Sequence, residues 1–104
     1  MQLQQQASMR PEIRFLFLKI IDGYTPHNTI TVPLYHLYAH FPQQFLEKAL
    51  RRLVNNGLTG QNFINYFYNE CGGSALQLHR RLLEPIELEK AGKIRIIAGK
   101  NFRE

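Results

Sequence analysis

The sequence predicts a single small domain, mostly α-helical, with a minimal β-sheet. Three observations lead there. Apolar residues recur at helical spacing in five stretches. Two short β-branched runs, Thr29–Val32 and the KIRIIA of Lys93–Ala98, have strand character. A chain of 104 residues that is 44% hydrophobic suffices for one core.

Residues 1–9 are glutamine-rich and are expected to form a flexible tail, leaving 10–104 as the domain. Pro11 suits the first turn of a helix that ends near Asp22 and Gly23. Ile13, Leu16, Phe17, Ile20 and Ile21 form its core stripe. Phe15 and Leu18 fall outside that stripe, so the helix is apolar nearly all round. Gly23–Asn28 reads as a loop. Thr29–Val32 then reads as a strand that pairs with KIRIIA. Pro33 opens a short helix with Leu34, Leu37, Tyr38 and Phe41 on its apolar side.

After a turn at Phe41–Pro42, a longer helix runs from Gln43 to Asn55. Phe45, Leu46, Ala49, Leu50, Leu53 and Val54 fill one half of it. Gln44, Glu47, Lys48, Arg51, Arg52 and Asn55 fill the other. Gly57 stands where a left-handed helix end belongs. Thr59 suits an N-cap for a segment carrying Phe63, Ile64, Phe67, Tyr68 and Cys71, which Gly72–Gly73 ends. Ser74 caps the next helix, with Leu76, His79, Leu82, Leu83 and Ile86 as its stripe. Pro85 is expected to kink or restart it, and Ala91–Gly92 to stop it.

The order strand, short helix, tight turn, amphipathic helix, glycine stop resembles winged helix-turn-helix DNA-binding domains. The run ALRRLVNNGL, with Leu50 and Leu53 ahead of Gly57 and Leu58, is similar to the end of many recognition helices in that class. The resemblance covers about a third of the chain and implies a helix that enters the major groove. The chain departs from the pattern after Leu58: a helical segment, NFINYFYNEC, stands where a β-hairpin usually follows.

The resemblance implies sequence-specific binding of double-stranded DNA as a small transcriptional regulator. Gln43, Gln44 and Lys48 are the residues expected near base edges. Arg51, Arg52 and Asn55 are expected on bases or phosphates, and Lys93, Arg95, Lys100 and Arg103 on the backbone. A net charge of +5 and a pI near 9.7 favour polyanionic partners. Reading two half-sites calls for a homodimer, with the over-apolar first helix and the aromatic segment Phe63–Tyr68 as its interface.

A second reading is a protein-interaction adaptor or inhibitor, which the apolar surplus favours. A third is RNA binding, with Tyr35, Tyr38 or Tyr66 stacking on bases. No enzyme or cofactor is expected. His36 and His40 have metal-clamp spacing but no third ligand nearby in sequence, so no metal site is expected. Cys71 lies on an apolar stripe and reads as a structural thiol rather than a nucleophile paired with His79. Glu84, Glu87 and Glu89 read as solvated charge. The single cysteine, the absence of a long apolar run and the lack of a secretory-type start make a cytoplasmic location the expectation.

Overall fold

A computed structural model describes residues 9–92, together with the backbone of 94–97 and 100–103. Five helices make the body: α1 (Pro11–Ile21), α2 (Asn28–His40), α3 (Gln43–Asn55), α4 (Gly60–Asn69) and α5 (Ala75–Lys90). Residues 9–92 contain no strand. Beyond them, Ile94–Ile97 and Lys100–Arg103 pair with each other, antiparallel, with Ile94 opposite Arg103 and Ile97 opposite Lys100.

This corrects the expected fold class. Thr29–Val32 is not a strand and has no partner in KIRIIA, so among the described residues the winged-helix sheet is missing and the body is a helical bundle. The cause is tertiary burial overriding β-propensity. Ile30, Leu34 and Leu37 are fully buried and follow helical spacing from the fourth residue onward, so α2 begins about a turn earlier than Pro33. The His27 carbonyl accepts the amides of Ile30 and Thr31 at 2.9 Å each, and Thr29 Oγ1 donates to the Pro26 carbonyl at 2.9 Å. Pro33 therefore lies inside the helix. There it withholds an amide from the Thr29 carbonyl, and the residue is buried.

Pro85 also sits within an uninterrupted helix, α5, rather than restarting it. Its ring is buried beside Ile86, and the residue whose carbonyl loses a partner, Arg81, lies on the exposed side. Two other ends form as their sequences dictate, while Thr59 precedes α4 without a side-chain cap hydrogen bond. Ser74 Oγ accepts the Gln77 amide at 3.3 Å as the α5 N-cap. Gly57, at φ 72°, closes α3: the Leu58 amide donates to the Leu53 carbonyl at 2.8 Å and the Gly57 amide to that of Val54 at 3.0 Å.

The core is drawn from all five helices: Ile13, Leu16, Phe17 and Ile20 of α1 meet Ile30, Leu34 and Leu37 of α2 and Leu46, Leu50 and Leu53 of α3. Phe63 of α4 and Leu78, Leu82 and Ile86 of α5 complete it. Phe17 meets Tyr35 edge-on at 5.6 Å. Full burial of each such side chain contributes about 1.5–3 kcal/mol. Helix α3 is held between α1 and α5. Among the described residues no helix is long and apolar enough to cross a membrane.

Candidate nucleic-acid interface

Helices α2 and α3 are separated by a two-residue turn, and Gln43 braces it. Its Nε2 donates to the carbonyls of Tyr38 (2.9 Å) and Phe41 (3.1 Å), satisfying backbone acceptors at the end of α2. The Gln43 amide nitrogen thus works on the turn rather than pointing toward a ligand.

The outward face of α3 carries Gln44, Lys48, Arg51 and Asn55, which fall within one narrow arc of the helix. The Lys48 and Arg51 side chains are 46% and 52% exposed, so this face is open to solvent. Both cations have carboxylate partners. Arg51 pairs with Glu47, one turn earlier, at 2.9 Å from Nη2 and 3.0 Å from Nε. Glu47 is also reached by Arg10 at 3.6 Å. Lys48 Nζ pairs with Glu89 of α5. Exposed pairs of this kind contribute about 0.2–1 kcal/mol each, little enough for a phosphate to exchange with the carboxylate.

Arg52 sits apart from this group. It is 9% exposed, and its Nη1 donates to the Leu82 carbonyl at 3.3 Å. Burial pushes its guanidinium below the usual arginine range, while the neighbouring Tyr66 and Glu89 act in the opposite direction. The sequence does carry a signal for this position. Arg52 follows Phe45 by seven and Ala49 by three, which places it at the margin of the apolar arc. The counter-ions were legible in part, since Glu47–Arg51 has i,i+4 spacing. The Lys48–Glu89 pair depends on how α3 meets α5.

That meeting is antiparallel. Phe45 lies under Lys90 Nζ at 5.6 Å, Lys48 pairs with Glu89, and Arg52 reaches Leu82. The N-terminal half of α3 is therefore beside the end of α5, where the chain leaves for the basic C-terminal segment. Three units of the net charge of +5 lie in residues 93–104, four Lys and Arg against Glu104. The side chains of Lys93, Arg95, Lys100 and Arg103 lie outside the described residues.

Other expected chemistry takes a simpler form. The His36 and His40 rings meet at a 50° tilt, 4.7 Å between centroids, and no group of three metal-ligating side chains occurs among the described residues. Cys71 is buried, and burial pushes its thiol up. No protein-family model matches this chain, and no curated protein or solved structure is similar to it.

Proposed function

We propose that this protein binds double-stranded DNA in a sequence-specific manner, as a homodimeric regulator, through the outward face of α3. The observation that carries the reading is the solvent-open arc of Gln44, Lys48, Arg51 and Asn55 beside the root of the basic C-terminal segment. Amide side chains suit adenine edges, and guanidinium and ammonium groups suit guanine edges and phosphates. In this arrangement Gln44 and Asn55 read bases. Lys48 and Arg51 trade their carboxylates for phosphates, and the C-terminal cations hold the backbone. Gln43 and Arg52 act as a turn brace and a wall residue rather than as contacts. Phe15 and Leu18, exposed on α1, supply the apolar surface for a second copy.

The test is a salt titration of duplex binding. Lys48→Ala combined with Arg51→Ala flattens the plot of log affinity against log salt by about 1.8, roughly 0.9 per lost phosphate contact. A slope that stays the same removes α3 from the interface.

A second reading, a protein-interaction adaptor, is favoured by an apolar groove of about 380 Å³ lined by Val32, Pro33, Phe67 and Tyr68. Binding there depends little on salt, which separates the two.

A further inference from the structure

A second polar feature lies between α3, α4 and α5: a cleft of about 470 Å³ lined by Arg52, Tyr66, Gln77, Arg80, Arg81 and Glu84. Its size falls in the range of small-molecule sites. Its lining holds three guanidinium groups against one carboxylate.

The four residues from α5 share one side of that helix, because Arg80, Arg81 and Glu84 follow Gln77 by three, four and seven positions. The opposite wall is pre-set. Arg52 is buried and tethered to the Leu82 carbonyl at 3.3 Å. Tyr66 is half-buried, and its hydroxyl is pushed up to about 12, chiefly by burial and then by the neighbouring Cys71, so it stays protonated at neutral pH. Arg80 and Arg81 are exposed at the mouth, where Arg81 lies 4.0 Å from Glu70.

We propose that this cleft binds a small phosphate monoester of the sugar-phosphate class. A phosphoryl dianion matches the forked donors of several arginines, which recognise tetrahedral oxyanions bidentately. A desolvated guanidinium at the base of the cleft attracts that charge more strongly than a hydrated one does. The volume exceeds what a bare phosphate fills, and the polar walls suit a hydroxylated remainder rather than an apolar one. Gln77 and Glu84 supply donors and an acceptor for hydroxyl groups. The site lies off the outward arc of α3, and the inference does not rest on the duplex reading.

Calorimetric titration of the full chain tests it, with inorganic phosphate, ribose 5-phosphate and ribose as probes at constant ionic strength set by sodium chloride. Ribose 5-phosphate binds more tightly than inorganic phosphate, and ribose gives no saturable heat. Arg80→Ala with Arg81→Ala, both surface positions, weakens ribose 5-phosphate by about tenfold or more. Affinity also falls from pH 7.5 to pH 5.5 as the monoester takes up its second proton near pH ~6. Arg52→Lys, with folding checked by circular dichroism, keeps the charge but loses the fork and weakens binding as well. The proposal is overturned by heats that match those of added chloride, or by binding indifferent to the double variant. It is also overturned if that variant abolishes duplex and monoester binding together, since the cleft is then part of a nucleic-acid surface. Lys48→Ala with Arg51→Ala leaves the monoester affinity unchanged, so failure of one reading is visible apart from failure of the other.

Discussion

Replacing Glu47 by Gln separates the charge on α3 from its partners with little change in shape. Glu47 receives Arg51 at 2.9 Å and Arg10 at 3.6 Å, and its own side chain is about one-third exposed. Exposed pairs contribute about 0.2–1 kcal/mol, and i,i+4 pairs about 0.3–0.5. Losing both costs about 0.5–1.5 kcal/mol of stability, a fall of several degrees in Tm for a domain of about 100 residues. The effect on duplex binding has the opposite sign. Arg51 reaches its phosphate without first giving up a carboxylate, so the number of phosphate contacts and the salt slope stay the same while duplex binding tightens. The i,i+4 pair no longer broken is worth about 0.3–0.5 kcal/mol, so affinity rises by about twofold at each salt concentration. Fluorescence anisotropy with a labelled duplex between 50 and 200 mM salt, alongside thermal denaturation, reads both quantities. A Glu47→Gln variant that binds duplex no better than the wild type, or whose slope steepens by about 0.9, refutes the argument that Arg51 already exchanges its carboxylate for a phosphate.

Three further expectations concern the body of the domain. Leu50→Ala, at a position that is fully buried where α3 meets the core, lowers the unfolding free energy by about 2–5 kcal/mol in urea denaturation. His79, half-buried against Phe41 and near His36 and His40, is held below the usual histidine value, first by burial and then by those two rings. The unfolded chain therefore binds more protons than the folded one in this window. Stability is present above about pH 6.5 and is lost as pH falls through the lower folded value. His79→Gln should flatten this acid-side loss between pH 7.5 and pH 5.5 in urea midpoints, and an identical profile would show that His79 contributes nothing to it. Cys71 is 2% exposed with its thiol pushed up, so alkylation by iodoacetamide at pH 7.5 is slow in the folded protein and fast in denaturant.

The sequence was most legible where local signals and burial agree. Pro11 and Asp22 bound α1, Gln43 and Gly57 bound α3, and Ser74 caps α5, because caps, prolines and glycines act over a few residues. The reading failed where two periodicities overlap. TITV alternates like a strand, yet Ile30 also opens the helical series that Leu34 and Leu37 continue, and packing on the core decided between them. KIRIIA does contain a strand, Ile94–Ile97, but it pairs with the residues that follow it rather than with TITV. In the proposed interface, helical spacing alone put Lys48 and Arg51 outward. It could not set Arg52 against Leu82, since that contact spans thirty positions of chain. The arginine cleft was illegible for the same reason. Arg80 and Arg81 are neighbours in sequence, but Arg52 and Tyr66 join them only through the packing of three helices.

The pairing of Lys48 with Glu89 and of Arg51 with Glu47 has a consequence for how a DNA-bound search would proceed. A helix that brings its own anions is weakly adhesive toward random duplex, because each displaced carboxylate offsets part of what counterion release supplies. Such a protein dwells briefly on the wrong sequence and is retained only where base contacts add to the bare attraction. On the proposed duplex reading, its discrimination would be set as much by what α3 already holds as by what it can grasp.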